Sequence, residues 1–296
     1  MNVRAAAVVV ARTARLDYVE LCKPRLTLLV LIVVGLSAWL AAAGQAGFSV
    51  LFHAVVGTGL VAAGASALNM LLEREYDARM PRTWNRPLPA GRLRPRDVLL
   101  FGGLLTAGGL ALLFWLTTPL AALLAALTSA TYLSLYTPLK RVTTLNTHIG
   151  AVPGALPALI GWAAVRGTLE PGAWAIFMIV YVWQLPHFLS IAWLYREDYA
   201  RGGFRMLPGV DPGGRATGRQ AALGALALLP VSLLPAVAGV CGMAYGLGAV
   251  VLGLLFVQRA AAFAWSRSPA TARGLLRASL LYLPLLLALM FLDQVP

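Results

Sequence analysis

Long apolar blocks dominate the sequence and constrain its fold more than any other feature. Each block runs for roughly 16–22 residues, which is the length that an α-helix needs to cross about 30 Å of hydrocarbon. Only 12% of the residues are charged, which is about half the share found in an ordinary soluble domain. The chain is therefore predicted to be an all-α integral membrane protein.

The apolar blocks predict a bundle of nine transmembrane helices. The Thr117–Thr118 pair predicts a tight hairpin between the third and fourth spans. We expect residues 26–296 to form one membrane domain, and residues 1–25 to form a basic cytoplasmic tail or, as the alternative, an organelle-targeting arm. The expected spans are 26–43, 51–72, 98–116, 119–136, 149–165, 173–194, 221–240, 243–258 and 275–292.

The distribution of basic residues predicts how the bundle is oriented. A net charge of +13 would suggest nucleic-acid binding in a soluble protein. Here 23 of the 24 basic residues lie at the N-terminus and in every second loop, and only Arg166 lies in the alternate set. The positive-inside rule places the N-terminus and these loops in the cytoplasm and the C-terminus on the opposite side, in what we expect to be a bacterial inner membrane. Orientation accounts for these charges, so no nucleic-acid partner is predicted.

Acidic and basic residues crowd the end of the second span, in the stretch NMLLEREYDARMPRTWNRPLP at 69–89. Asn69, Glu73 and Asp77 are four residues apart, so each step drifts only about 40° around a helix and all three share one face. One amide oxygen and two carboxylates suit Mg²⁺, which completes its shell with water and substrate phosphates. Because arginine binds phosphate through two nitrogens, we assign phosphate binding to Arg74, Arg82 and Arg86. The alternative is a solvated loop in which acids and arginines simply pair.

A second polar stretch, LYREDYARGGFRMLPGVDPGG at 194–214, follows the sixth span. Glu197 and Asp198 stand there among arginines, and the topology places this loop on the same membrane face as the first. Two acidic, arginine-rich helix ends on one face predict two walls of a site for a metal and a diphosphate. For the lysines on this face, the alternative is a helix-end position without function. The further candidates for binding the diphosphate are Lys140, Arg141, Lys23 and Arg25.

Three segments resemble a known family. They are NMLLEREYDARMPRTWNRPL, YTPLKRVTTLNTHIGAVPGALPALIGW and WQLPHFLSIAWLYREDYARGGFRMLP. They are similar to the UbiA-type intramembrane prenyltransferases and, within that family, to its protohaem IX farnesyltransferase branch, over nearly the whole chain. There are two departures. Glu73 stands where the superfamily usually has Asp, and Gly202 stands four residues after Asp198, so the Asp-x3-Asp motif of the quinone-pathway branch is absent.

The resemblance implies an enzyme that transfers the farnesyl group of farnesyl diphosphate to a vinyl group of haem B, giving haem O and diphosphate, within a lipid bilayer. It implies Mg²⁺ as the cofactor, and haem A synthase or oxidase-assembly proteins as candidate partners. The metal and the basic residues would stabilise the departing diphosphate. The candidate catalytic residues are Asp77, Asp198 and Lys140. The candidate metal ligands are Asn69, Glu73, Asp77, Asp198 and Glu197.

His187 lies inside the sixth predicted span, about 12 Å from its inner end at 1.5 Å per residue. A buried histidine is costly unless it has a hydrogen-bond partner. One interpretation is a bond to a backbone carbonyl, such as one freed by Pro186. The other is contact with haem, either by ligation of the iron or by orientation of the macrocycle, with Trp183 beside it as part of a flat apolar pocket.

Two other functions remain as alternatives. A prenyltransferase with a quinone-type aromatic acceptor predicts Asp-x3-Asp within 195–205, which the sequence lacks. A transporter or passive scaffold predicts charged residues near the bilayer midplane. The spans contain almost none, and the polar residues gather at one edge, so the sequence favours the enzyme.

Overall fold

The computed structural model describes residues 14–43, 45 and 47–295, and this part of the chain is almost entirely helical. A π-helical segment, Thr131–Tyr136, joins the fifth and sixth helices. The α-helices are α1 (Ala14–Leu21), α2 (Pro24–Ala41), α3 (Phe48–Asp77), α4 (Pro95–Leu116), α5 (Pro119–Ala130), α6 (Thr137–Leu139), α7 (Asn146–Arg166), α8 (Pro171–Leu194), α9 (Arg196–Arg201), α10 (Leu207–Val210), α11 (Arg215–Val231), α12 (Leu234–Val237), α13 (Met243–Ser266) and α14 (Pro269–Leu292).

Nine helical units of the described residues are long and apolar enough to cross a membrane, which confirms the predicted number of spans. They are α2, α3, α4, α5 continued to Leu139, α7, α8, α11 continued to Val237, α13 and α14. Five of them begin with proline at the first helical turn. Proline is suited to that position because its missing N–H would have no helical partner there and its φ angle is already helical.

Several spans are longer than the apolar blocks predicted. Helix α3 has 30 residues, or about 45 Å at 1.5 Å per residue, so it projects well beyond the hydrocarbon. Helix α13 continues to Ser266 instead of ending near residue 258, and α14 begins at Pro269 instead of 275. The prediction followed hydropathy alone, whereas arginine is a good helix former. The helices therefore continue through Arg259, Arg273 and Arg277.

The described part of the predicted N-terminal tail is ordered on the bundle. Residues 1–13 lie outside the described residues, but α1 packs near α3 and buries Asp17. Arg92 donates a hydrogen bond of 2.9 Å from Nε to the Asp17 carboxylate. Residues 14–25 of the expected tail thus form a helix, a turn and the first two residues of α2.

Helices α7 and α8 form the centre of the bundle and are its most buried spans. Helix α7 packs against α2, α5 and α8, and α8 packs against α11 and α14. Gly161 lets α2 and α7 approach closely, because a side-chain carbon there would overlap the carbonyl oxygen of Val34. Small residues at such crossings are typical of membrane helices. The ring of α2, α3, α5, α7 and α8 surrounds one cavity.

Candidate active site

The cavity has a volume of about 360 Å³ and extends from a charged end into an apolar body. Asn69, Glu73 and Asp77 line the charged end from one face of α3, as their spacing predicts, and all three are buried. Small and branched side chains line the body, among them Val30 and Val61. An amphiphilic molecule with an anionic head and an apolar tail matches this division.

Each polar side chain on this face of α3 is paired with a cation from another segment. Lys23 donates a hydrogen bond of 2.9 Å to the Asn69 amide oxygen. Lys140 Nζ lies 2.8 Å from Glu73 Oε1, and Arg86 Nη1 lies 2.7 Å from Asp77 Oδ2. Buried carboxylates require such partners. The three cations come from the start of α2, the α3–α4 loop and the end of α6.

The π-helical segment supports this pairing. Asn69 donates from Nδ2 to the Thr137 hydroxyl at 3.1 Å, and that hydroxyl donates to the carbonyl oxygen of Tyr132 at 2.8 Å. The same carbonyl oxygen also accepts the backbone N–H of Thr137, as in a π-helix, and π-turns often mark functional sites. Tyr132 and Tyr136 stack with ring centroids 5.6 Å apart, and both line the cavity.

Lys140 is held as a cation by its surroundings. Its Nζ lies 4.4 Å from the centre of the Tyr136 ring and 5.8 Å from that of Phe204. Burial alone would lower the pKa of Lys140, but the Tyr136 hydroxyl and the Glu73 carboxylate more than offset it, so the pKa is raised above its usual value. This lysine therefore carries its charge throughout the physiological pH range.

Lys23 has a different electrostatic environment. Burial, followed by the positive charges of Arg86 and Lys140, lowers the pKa of Lys23 to about 7. Its backbone has a φ of 47°, in the left-handed region that non-glycine residues rarely adopt. This conformation starts α2 and directs the ammonium group toward Asn69.

The α3–α4 loop holds two predicted phosphate ligands at the cavity. The Thr83 hydroxyl donates to the backbone carbonyl of Asp77 at 2.8 Å, which folds the loop back over the end of α3. Arg86 then reaches Asp77. Arg82 lies over the rings of Tyr195 and Tyr199, at 5.3 and 5.8 Å from their centres, so it connects the first polar loop to the second.

The second polar loop contributes aromatic side chains to the cavity in place of acids. Tyr199 and Phe204 line the cavity, whereas Glu197 is exposed and Asp198 is half-buried outside it. As α9 packs here, Tyr199 faces the cavity and Asp198 does not. The predicted acidic second wall is therefore an aromatic wall in this conformation.

Three predicted basic residues also lie outside the cavity. Arg74 pairs with Glu75 on the exposed side of α3 at 3.3 Å. Arg141 donates a hydrogen bond to the Tyr76 hydroxyl and lies over that ring at 4.7 Å. Arg25 is exposed in the first turn of α2.

The donors on α3 fit a magnesium ion. Mg²⁺ is usually held by one or two carboxylates, with waters and substrate phosphates completing the shell. Glu73 and Asp77 supply two carboxylates one helical turn apart, and Asn69 supplies an amide oxygen one turn deeper. Among the described residues, no group of three or more His, Cys, Asp or Glu side chains is arranged to hold a metal. A metal bound to these protein oxygens would therefore need water and substrate oxygens to complete its coordination shell.

Several cavity residues were missed by the sequence reasoning. The clearest signal was the Tyr132-x3-Tyr136 spacing within an apolar block, which places two aromatic hydroxyls on one helical face. Gln184 is buried in α8 and donates to the carbonyl oxygens of Val180 and Ala151 at 3.1 and 3.3 Å. Phe204 offered no signal, because it reaches the cavity only through the fold of its loop.

His187 and Trp183 both line the cavity from α8. The Nδ1 atom of His187 lies 2.8 Å from the Ser279 hydroxyl on α14. The expectation of a backbone carbonyl as its partner is therefore wrong, since packing of α8 on α14 supplies a side chain.

The described residues form nine membrane-length helices. Their cavity has paired charges at one end and an apolar body, so they define a polytopic membrane protein with a cavity suited to an amphiphilic anion. The sequence profile of the UbiA prenyltransferase family matches residues 28–288. The chain belongs to this family, so the family predicted from the three sequence segments is confirmed.

Known relatives and structures agree with this assignment. The chain is 47% identical over 287 residues to a protoheme IX farnesyltransferase from Solibacter usitatus, covering 94% of this chain and 98% of the relative. Its fold is similar to that of digeranylgeranylglyceryl phosphate synthase, with a TM-score of 0.77, 17% identity and coverage of 94% and 98%. It is also similar to a UbiA homologue from Archaeoglobus fulgidus bound to DMAPP and Mg²⁺, with a TM-score of 0.65, 13% identity and coverage of 93% and 98%. The predicted helical fold is confirmed.

Proposed function

We propose that the protein transfers the farnesyl group of farnesyl diphosphate to a vinyl group of haem B. The bond between C1 of the farnesyl chain and the diphosphate oxygen breaks, and its electron pair leaves with the diphosphate. The vinyl group supplies the electrons for the new carbon–carbon bond. Water then adds to the adjacent carbon and loses a proton, which gives the hydroxyethylfarnesyl side chain of haem O.

The observation that carries this proposal is the set of three buried pairs at the head of an apolar cavity. In the free protein, Lys140 and Arg86 neutralise the two carboxylates on the polar face of α3, and Lys23 donates to the neutral Asn69 amide. A metal bound to that face would release these cations for the diphosphate, so the same groups serve both states. Charge-assisted bonds of this kind stabilise a departing anion most strongly where water is excluded.

Asn69, Glu73 and Asp77 are the proposed magnesium ligands. When bound, the ion would neutralise the diphosphate as it leaves. Support for Mg²⁺ comes from these oxygen donors and from the family, one of whose members binds DMAPP and Mg²⁺. Asp198 and Glu197 lie outside the cavity, so their proposed roles require α9 to turn toward the bound diphosphate.

The aromatic wall is proposed to protect the allylic cation. This wall, formed by Tyr199 and Phe204, lines the cavity together with two rings of the π-helical segment, Tyr132 and Tyr136. The faces of such rings attract cations and are worth about 2 kcal/mol or more when water is excluded. They would also keep water from the farnesyl cation until the vinyl group has attacked it.

The proposed site lies at the cytoplasmic edge of a bacterial inner membrane. Its polar residues come from the N-terminal segment and the loops that carry nearly all basic residues, which the positive-inside rule assigns to the cytoplasm. Diphosphate would enter and leave through water at this edge, while the farnesyl chain and the porphyrin would occupy the apolar body.

The test is release of diphosphate by the purified protein in detergent. We expect release from farnesyl diphosphate to need both haem B and Mg²⁺, and to stop when EDTA removes the metal. Omitting haem B and replacing it with a phenolic acid acceptor are the controls. Release that follows the phenolic acid and ignores haem would instead support a quinone-type prenyltransferase.

A further inference from the structure

The pair formed by His187 and Ser279 joins two spans inside the bundle. The Nδ1 atom of His187 on α8 lies 2.8 Å from Oγ of Ser279 on α14. Ser279 is fully buried, and its hydroxyl donates to the carbonyl oxygen of Leu276 at 2.7 Å. Every hydrogen of this small network can therefore be assigned.

The assignment follows from a count of protons. A serine hydroxyl has one hydrogen to donate and two lone pairs to accept with. Because the carbonyl of Leu276 can only accept, that hydrogen is used there, and Ser279 must accept from His187. The neutral imidazole then carries its hydrogen on Nδ1, and Nε2 keeps an unprotonated lone pair.

The imidazole is also fixed in direction. The Trp183 ring stacks on it with centroids 4.8 Å apart and an angle of 18° between the planes. The indole N–H of Trp183 donates to the backbone oxygen of Ser279 at 2.9 Å. Both the tautomer and the orientation of His187 are therefore set by Ser279 and Trp183 before any ligand binds.

The free nitrogen belongs to a side chain in the cavity wall. His187 lines the cavity together with Gln184 and Phe188, and Nε2 has no hydrogen-bond partner among the described residues. A histidine whose other N–H is held by an oxygen is the usual form of a metal ligand, because that bond orients the ring and raises its basicity. The cavity wall thus presents a preformed ligand for a transition metal.

We infer that Nε2 of His187 ligates the iron of the porphyrin acceptor and that Ser279 is the positioning residue for this ligand. The inference rests on the proposed function, since the iron arrives with haem B as part of the substrate. Because Nδ1 faces Ser279 on α14, Nε2 faces away from that contact, and the macrocycle would lie on the cavity side of α8. One cavity contains both this histidine and the charged face of α3, so the acceptor and the diphosphate share it.

The test compares two porphyrins that differ only in iron. Purified protein is titrated with haem B and, separately, with iron-free protoporphyrin IX, and the Soret band is followed. We expect His187→Ala to weaken haem B binding at least tenfold and to shift the Soret band of the complex, while protoporphyrin IX binds as tightly as to the unchanged protein. Ser279→Ala should weaken haem B binding by about tenfold, again without affecting protoporphyrin IX.

His53 supplies a matched control, because its Nδ1 lies 3.3 Å from the Ser49 hydroxyl and it does not line the cavity. His53→Ala should leave both affinities unchanged. Unchanged haem B affinity and Soret position in His187→Ala would overturn the inference. An equal loss of both porphyrins would overturn it too, because it would show a structural role. Ser279→Ala provides the same comparison if His187→Ala does not fold.

Failure of the proposed function is separable from failure of this inference. If the unchanged protein binds haem through His187 but transfers no farnesyl group, the ligand assignment stands and the reaction does not. If the protein makes haem O while His187→Ala loses no iron-specific affinity, the reaction stands and the ligand assignment is wrong.

Discussion

Lys140 and Glu73 are 67 residues apart in the sequence, and their side chains form an ion pair of 2.8 Å in the wall of the cavity. Only 15% and 8% of these side chains are exposed. A buried pair of this kind adds little net stability, but removing one partner leaves the other charge uncompensated. Lys140 lies at the charged end of the cavity. This position fits a cation that pairs with Glu73 in the free protein and with the diphosphate when the substrate is bound.

We expect Lys140→Met to destabilise the protein by about 3–5 kcal/mol, because Glu73 would stay buried without its cation. The double variant Lys140→Met/Glu73→Gln should recover most of this loss, since no uncompensated charge remains. The measurement is the thermal unfolding midpoint in detergent. A double variant as unstable as the single one would show that Lys140 stabilises the fold by packing.

The same double variant tests the role of Lys140 in binding. It should bind farnesyl diphosphate at least tenfold more weakly than Glu73→Gln alone, which also lacks the Glu73 carboxylate, because a charge-assisted bond to phosphate is lost. Both variants should bind haem B normally. Equilibrium binding of each substrate gives the answer. If haem binding alone suffers, the lysine serves the haem propionates.

Asp77→Ala should lower kcat by about 100-fold or more, since a proposed metal ligand at the departing diphosphate is removed. Asp97 is the matched control, because it is an exposed acid in the first turn of α4 on the same side of the bundle. Steady-state rates at saturating Mg²⁺ compare the two variants. Near-normal turnover by Asp77→Ala would remove this residue from the metal site.

The neighbouring acids of α9 test whether this helix turns when diphosphate binds. We expect Asp198→Ala to lose at least as much activity as Asp77→Ala while its unfolding midpoint stays unchanged, because the half-buried Asp198 would join the metal site only after α9 has turned toward the diphosphate. Glu197→Ala should lose less. Normal activity in Asp198→Ala would restrict the metal site to α3.

Phe204→Ala should open the aromatic wall to water. The farnesyl cation would then be captured by water, so farnesol should rise relative to haem O when both products are quantified by chromatography. The exposed aromatic Phe291 at the end of α14 is the control position. An unchanged product ratio in Phe204→Ala would show that this ring does not exclude water from the reaction.

Structural features that depend on a single segment of the chain were predicted from local sequence patterns. Apolar length predicted nine spans, and four-residue spacing placed Asn69, Glu73 and Asp77 on one face. What depends on contacts between distant segments was not predicted. The side chain of Asp198 points away from the cavity because of how α9 packs, and the partner of His187 is Ser279, 92 residues further along the chain. The π-turn before Thr137 likewise follows from packing, since no residue type specifies it.

Mass spectrometry of extracted haem tests the proposed reaction most directly. Bacterial cells that lack a haem-farnesylating enzyme are compared with the same cells expressing this protein or its Asp77→Ala variant. We predict that the unchanged protein converts part of the haem B pool into a species heavier by one farnesyl group and one hydroxyl group, and that the variant does not. Membranes that contain the folded protein, farnesyl diphosphate and haem B but no such species would contradict the proposed transfer.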